Sequence, residues 1–95
     1  MHAPLPAVVH DPRAQRFEML VDGLRCEACY ELAGPVMLMT HTGVPHQREG
    51  RGIAAALVRA ALEHARAQGL RVQPLCSYVR VYMRRHPETQ DLLPG

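Results

Sequence analysis

The chain has 95 residues, 47% of them apolar and 21% charged, which is typical of a folded globular protein and fits one domain over residues 1–95. Its net charge of +2 and its few aromatic residues argue against a nucleic-acid-binding protein. No apolar run approaches the ~20 residues of a membrane span. The N-terminus does not resemble a signal peptide, and the odd number of cysteines argues against a secreted disulfide scaffold. We therefore expect a cytoplasmic protein.

The first half of the chain is predicted to form an antiparallel meander. Residues 1–14 contain three prolines and leave room only for a short edge strand or arm. The pair Asp22-Gly23 is a strong two-residue turn signal between two strand-like runs. Residues 33–35, AGP, indicate the next turn. Residues 36–42, VMLMTHT, are predicted to form a strand that is buried on both faces.

The second half predicts a helical crossover. Apolar residues at helical spacing, such as Leu57, Ala61 and Ala65, indicate an amphipathic helix over residues 49–68, with Gly69 at its end. Residues 70–76 are predicted to form a strand and residues 77–86 a second helix that Pro87 ends. Residues 88–95 are expected to be a polar tail. Together these elements predict an α+β fold with a mixed sheet.

The segment VPHQREGRG, residues 44–52, lies between a predicted strand and a helix N-terminus, where backbone N–H groups are unpaired and the helix dipole is positive. Gly50 and Gly52 allow a ligand to approach the backbone closely. Arg48 and Arg51 add positive charge. A phosphate or a pyrophosphate suits this loop. In the alternative interpretation the glycines only form a tight turn and the arginines are solvated.

Two other phosphate motifs fit poorly. A Walker loop requires a lysine, and the chain has none. Gly50, Gly52 and Ala55 match the dinucleotide pattern G-x-G-x-x-[GA]. However, an antiparallel meander precedes them, no acidic residue lies about 20 positions later, and the chain is too short for a Rossmann domain.

A third pattern fits better. Residues 47–52, QREGRG, match the Q-x-x-G-x-G loop that binds acetyl-CoA in the Gcn5-related N-acetyltransferases. The segments HTGVP (41–45), PLCSYV (74–79) and HPE (86–88) extend the match. Over residues 17–92 the chain resembles a short, single-domain branch of this family. It lacks the N-terminal helix pair that builds much of the acceptor pocket in larger members.

The resemblance implies an N-acetyltransferase that transfers acetyl from acetyl-CoA to an unidentified amine, with no metal. It implies that the central strand and the next strand splay apart, so that the pantetheine arm enters between them. By position it assigns cofactor binding to Thr42, Val44, Gln47, Arg48, Glu49, Gly50, Arg51, Gly52, Ile53 and Ala54. The alternative is a CoA-binding module without efficient turnover that acts through a partner. Size alone leaves a monomer or a weak homodimer.

Cys76 is the first candidate for catalysis. It lies at the end of one splayed strand and directly before a helix, where a thiol is more readily ionised. It is interpreted either as a nucleophile that forms an acetyl-cysteine or as a residue that lines the pocket during direct attack by the amine. A buried structural cysteine is the remaining alternative.

His41 and Tyr78 complete the predicted catalytic set. His41 is near the end of the central strand and is a candidate base, or else a core histidine hydrogen-bonded to the backbone. Tyr78, preferred over Tyr82, is a candidate acid for the leaving thiolate, since larger relatives keep a tyrosine there. The alternative is that both tyrosines serve packing.

Two further groups are assigned no role in the chemistry. Cys26 and Cys29 have the spacing of metal ligands, but on a strand positions three apart point to opposite faces, so no zinc site is expected. Arg84, Arg85 and His86 are interpreted as a solvated helix end, with contact to the 3′-phosphate of CoA as the alternative.

Overall fold

The computed structural model describes residues 4–95. Four strands pair antiparallel in chain order, namely β1 (Val9–Asp11), β2 (Arg16–Val21), β3 (Leu24–Ala33) and β4 (Val36–Gly43). Asp22 and Gly23 form the turn between β2 and β3, with φ of 50° and 79°. These left-handed conformations are those that an Asp-Gly hairpin turn requires. The predicted meander and its edge strand are confirmed.

The fifth strand reaches the sheet through a helix. Helix α1 (Ile53–Ala67) follows β4, and β5 (Arg71–Pro74) then pairs parallel to β4, so the sheet has the order β1-β2-β3-β4-β5. Helix α2 (Ser77–Arg85) and a 3-10 helix (Pro87–Leu92) complete the chain. The predicted α+β architecture with a mixed sheet is confirmed. Within residues 4–95, no helix is long and apolar enough to cross a membrane.

One hydrophobic core lies between the sheet and the helices. It joins the inward side chains of the strands to the apolar faces of α1 and α2. The α1 residues buried in it are Ile53, Leu57, Val58, Ala61, Leu62 and Ala65. Burial of each large aliphatic side chain contributes about 1.5–3 kcal/mol, so this face of α1 fixes the helix on the sheet. The other face of β2 and β3 carries ion pairs instead, such as Arg16–Glu18 and Arg25–Glu27.

Helix α1 begins four residues later than the predicted start at residue 49. Gly50 and Gly52 have φ of 81° and 77°, and these left-handed conformations interrupt an α-helix. The residues before them form a separate short 3-10 helix, His46–Arg48. The loop is therefore longer than the apolar periodicity predicts. Gly69, with φ of 70°, lies just past the helix end, as expected.

The prediction that the central strand is buried on both faces is wrong. Met37 and Met39 of β4 are fully buried, whereas Thr40 and His41 are exposed. A β-bulge causes the change: in β3 the consecutive residues Cys29 and Tyr30 pair with His41 and Met39, so Thr40 has no partner of its own. Beyond the bulge, the alternation of inward-facing and outward-facing side chains along β4 shifts by one residue.

The expectation of a polar C-terminal tail is also wrong. The 3-10 helix buries Thr89 and Leu92 against the core. It is held to α1 by Arg66, whose two terminal nitrogens lie 2.7 and 2.9 Å from the two carboxylate oxygens of Asp91. This bidentate pair attaches the end of the chain to the last turn of α1.

The packing of α1 predicts a large cost for truncation at its centre. We expect Leu57→Ala, at a fully buried position, to lower the free energy of unfolding by about 2–4 kcal/mol. Leu20→Ala, on the exposed side of β2, is the matched control and should change it by no more than about 0.5 kcal/mol. Urea titration followed by circular dichroism measures both. Equal effects of the two substitutions would contradict this packing.

Candidate functional site

The strands β4 and β5 separate at one end of the sheet. Their parallel pairing ends at Met39 and Pro74. The N–H groups of Leu75 and Cys76 then both donate to the Met39 carbonyl, at 3.0 and 2.9 Å, and the chain turns into α2. Strand β4 continues to Gly43 paired only with β3. The last residues of β4 therefore have one edge without a strand partner, facing the start of α2.

A cavity of about 470 Å³ opens at this end of β4 and reaches the N-terminus of α1. Its walls come from the strand end, the loop, the first turn of α1 and the first turn of α2. The lining residues are Thr42, Gly43, Val44, Arg48, Glu49, Gly50, Gly52, Ile53, Ala54, Ala55 and Tyr78. Of the predicted cofactor residues only Gln47 and Arg51 are absent from the wall. Gly43 and Ala55 are additional to the prediction.

The N-terminus of α1 presents unpaired backbone N–H groups to this cavity. Gly52 is the N-cap residue, no side chain caps the helix, and its first turn has no acidic residue. The N–H groups there and the positive end of the helix dipole favour an anion. A Cβ at Gly50 or Gly52 would meet no atom within 4 Å. Glycine is therefore required at both positions for the left-handed backbone rather than for space.

The loop arginines face a carboxylate from another part of the chain. Arg48 Nε lies 3.1 Å and Arg51 Nη1 3.5 Å from Oδ2 of Asp22, in the β2–β3 turn. Sequence reasoning assigned Asp22 only to the turn, since a contact between residues so far apart in sequence leaves no local pattern. Glu49 pairs instead with His46, at 3.4 Å on the surface.

Cys76 is the N-cap residue of α2, as the sequence predicts. Its Sγ lies 3.6 Å from the Thr42 hydroxyl, at the unpaired edge of β4. Burial raises the pKa of the Cys76 thiol. Hydrogen bonds from the backbone N–H groups of Val79 and Tyr78 and from the Thr42 hydroxyl lower it, and together they outweigh burial. The net pKa is therefore below that of an ordinary cysteine. Cys76 is therefore adjacent to the cavity through Thr42 and has an enhanced thiolate fraction.

His41 is placed on the other face of the sheet. The bulge at Thr40 turns His41 away from the core and Thr42 towards α2. The His41 side chain is 61% exposed and its Nε2 lies 3.9 Å from the Glu27 carboxylate. It is therefore neither a core histidine nor a neighbour of Cys76.

A second, open cavity of about 410 Å³ lies beside the residues that follow His41. It is lined by Arg25, Glu27, Gly43, Val44 and Pro45. A Cβ at Gly43 would lie only 2.9 Å from His41 Nε2, so glycine gives the imidazole its space. Gly43 and Val44 line both cavities and thus separate them.

The two tyrosines of α2 have different surroundings. Tyr78 lines the cavity, whereas Tyr82 lines a separate groove between α1 and α2 and stacks on His86 at a centroid distance of 3.9 Å. Burial raises the pKa of Tyr78, partly offset by the Arg85 charge, so the phenol is protonated at neutral pH. Arg84, Arg85 and His86 are absent from the cavity wall.

Cys26 and Cys29, which have the spacing of metal ligands, lie on different faces of β3. Cys26 is buried in the core and Cys29 lies on the other face of β3, because residues three apart on a strand point in opposite directions. Among residues 4–95, no group of three or more potential ligand side chains is placed to hold a metal ion.

Comparison with known proteins identifies the family. Residues 16–92 match the family described as GCN5-related N-acetyl-transferase. The chain belongs to the GCN5-related N-acetyltransferase family. It is 34% identical to protein NATD1 of Homo sapiens over 88 residues, which cover 90% of this chain and 78% of that protein. It is also 33% identical to protein NATD1 of Mus musculus over 88 residues, covering 90% of this chain and 80% of that protein.

A solved structure has the same fold. The NMR solution structure of a GCN5-like protein from Staphylococcus aureus superimposes with a TM-score of 0.74 at 25% sequence identity, covering 94% of this chain and 88% of that one. Family and fold together support an acyltransferase. The name NATD1 does not specify a reaction.

The environment of Cys76 predicts site-selective alkylation. Because its pKa is lowered, its thiolate forms at lower pH than that of Cys29, whose pKa is raised mainly by burial. We therefore expect iodoacetamide to modify Cys76 first as the pH rises from 6. Peptide mass spectrometry measures the modification of each cysteine.

Removal of the Thr42 hydroxyl should shift this profile. Thr42→Val is expected to move the alkylation midpoint of Cys76 to higher pH. Thr40→Val is the control, since the Thr40 hydroxyl donates to the Cys29 carbonyl and does not contact Cys76. A Cys76 profile that matches that of Cys29 in the wild type would contradict the assignment.

Proposed function

We propose that this protein binds acetyl-CoA at the cavity between β4 and α1 and transfers the acetyl group to an amine. The observation that carries the proposal is the uncapped N-terminus of α1, which faces the cavity beside two left-handed glycines and Arg48. Such a site suits the pyrophosphate of CoA. Membership of an acetyltransferase family supports the same ligand.

The proposed contacts divide between the two halves of CoA. The pyrophosphate accepts hydrogen bonds from backbone N–H groups between Gly50 and Ala54, with Arg48 and Arg51 supplying positive charge. Gln47 and Glu49 help to shape the loop. The pantetheine amides pair with the unpaired edge of β4 between Thr42 and Val44, where a main-chain N–H also faces the thioester oxygen.

Cys76 is proposed as the nucleophile. Its thiolate attacks the acetyl carbonyl, the carbon–sulfur bond of acetyl-CoA breaks, and Tyr78 donates its phenolic proton to the departing CoA thiolate. The acetyl group is then attached to Cys76. A neutral amine attacks this thioester, its N–H proton passes to the Tyr78 phenolate, and the Cys76 thiolate is regenerated. The lowered pKa of Cys76 supports this route over direct attack by the amine on acetyl-CoA.

His41 suits an amine that approaches from the other face of the sheet. It is exposed, it lies beside Glu27, and Gly43 separates this side from the cofactor cavity. An imidazole in that position accepts a proton from the ammonium form of the acceptor before the neutral amine reaches the acetyl group.

A second candidate is a CoA-binding module without efficient turnover. The observation that favours it is the open character of the His41 face, where β2 and β3 present partly exposed ion pairs and no helix of residues 4–95 forms an acceptor pocket. Such a module would bind acetyl-CoA but release no free CoA when amines are added.

Isothermal titration calorimetry with acetyl-CoA tests the binding step, with NADP as the control ligand. We expect binding of acetyl-CoA and none of NADP. Gly52→Val should weaken acetyl-CoA binding because a β-branched residue does not adopt the left-handed conformation. The control is Gly34→Val, in a turn remote from the cavity with φ of 59°. An absence of acetyl-CoA binding to the folded wild type would rule out both candidate functions.

Release of free CoA thiol in the presence of an amine panel tests the chemistry. Tyr78→Phe should lower kcat about 100-fold, the range of general acid catalysis, while Tyr82→Phe should leave it near the wild-type value. Cys76→Ala should abolish a mass increase of one acetyl group on the intact protein. Full turnover by Cys76→Ala would exclude the covalent route and leave direct attack.

A further inference from the structure

The turn between β2 and β3 carries a carboxylate directed at the arginines of the loop. Asp22 Oδ2 lies 3.1 Å from Arg48 Nε and 3.5 Å from Arg51 Nη1. Asp22 is held there by its left-handed backbone in the hairpin turn. Both guanidinium groups also lie close enough to Cys26, in β3, to lower its pKa, although burial outweighs them. The loop therefore packs against the hairpin end through its positive charges.

The contact is weaker than its distance suggests. Arg48 Nε is buried and makes no hydrogen bond within residues 4–95, so Asp22 Oδ2 lies off the direction of the N–H bond. Arg48 otherwise donates from Nη1 to the Gln47 carbonyl, at 3.2 Å. The Asp22 carboxylate itself is largely exposed. An ion pair of this kind contributes little to stability.

A phosphate group is a better partner for the same arginines. It accepts two parallel hydrogen bonds from one guanidinium, and such charge-assisted pairs are stronger than a single misaligned contact. Arg48 also lines the cavity at the N-terminus of α1, so the residue that faces Asp22 belongs to the candidate anion site. A ligand phosphate there and Asp22 would compete for one cation.

We propose that Asp22 is an intramolecular counter-anion that occupies Arg48 and Arg51 in the free protein and is displaced by a phosphate group of the ligand. This inference rests on the proposed binding of CoA at the loop. Asp22 thereby lowers the affinity for phosphate-bearing ligands and neutralises the loop when the site is empty. Binding of the ligand releases the β2–β3 turn from the loop.

Asp22→Asn tests the proposal because it keeps the side-chain shape, removes the charge and retains a residue that tolerates the left-handed turn. We expect CoA to bind about two- to fivefold more tightly to this variant at low ionic strength, the range given by loss of one exposed ion pair. The gain should shrink at high salt. Pantetheine, which has no phosphate group, should show no gain. Glu31→Gln is the matched control, since Glu31 is an exposed carboxylate of β3 without an ion pair among residues 4–95.

The arginine background separates competition from simple charge repulsion. In the double variant Arg48→Gln, Arg51→Gln, adding Asp22→Asn should leave CoA affinity unchanged, since nothing remains to compete for. A gain of equal size in that background would overturn the proposal in favour of through-space repulsion. Unchanged CoA binding by the single variant Asp22→Asn would also overturn the proposal. Weaker CoA binding would overturn it too, because it would mean that Asp22 positions the arginines for the ligand.

Failure of the proposed CoA binding can be distinguished from failure of the counter-anion proposal. If the wild type does not bind CoA, the proposed function is wrong, and inorganic pyrophosphate is then titrated into the same variants. Tighter pyrophosphate binding by Asp22→Asn would support the counter-anion role without CoA. An equal affinity of wild type and variant for pyrophosphate would overturn it.

Discussion

The site depends on the packing of α1, the helix that connects the parallel strands β4 and β5, against the sheet. Its apolar face, centred on Leu57 and Ala61, is buried against the sheet, and the crossover from β4 to β5 sets its direction. As a result its N-terminus lies beside the carboxyl end of β4, where the pairing with β5 has ended. The uncapped N–H groups, the loop and the free strand edge therefore meet at one cavity. Packing that stabilises the fold thus also builds the proposed anion site.

The bulge in β4 is the second constraint that shapes the chemistry. If the alternation of Met37 and Met39 continued, His41 would point into the core and Thr42 away from it. The unpaired Thr40 exchanges these directions, so that Thr42 approaches Cys76 and His41 joins Glu27 on the open face. The nucleophile and the base of the proposed reaction consequently lie on opposite sides of β4. This separation suits a donor and an acceptor that arrive from different faces of the sheet.

The sequence was most informative where the signal is local. The Asp22-Gly23 turn, the helical spacing around Leu57 and the helix stop at Gly69 depend on neighbouring residues, and the structure has all three. The loop was recognised from the residue types between strand and helix, and most of the predicted set lines the cavity.

The features that were missed depend on distant contacts. No local pattern marks Thr40 as the bulged residue, because the bulge is defined by its partners in β3. The burial of Leu92 depends on the 3-10 helix that returns to α1, and the contact of Asp22 with Arg48 depends on the packing of the loop on the hairpin. Apolar periodicity predicts that α1 begins at residue 49, which is too early, because periodicity does not reveal the left-handed conformation of Gly50 and Gly52.

The central claim, that CoA binds at the N-terminus of α1, is tested most directly by ¹H–¹⁵N NMR during titration with CoA. The account predicts the largest shifts at the amides of Gly50, Gly52, Ile53 and Ala54, with smaller ones at Thr42 to Val44. Shifts centred instead on the groove of Tyr82 and His86, or no shifts at all, would contradict it.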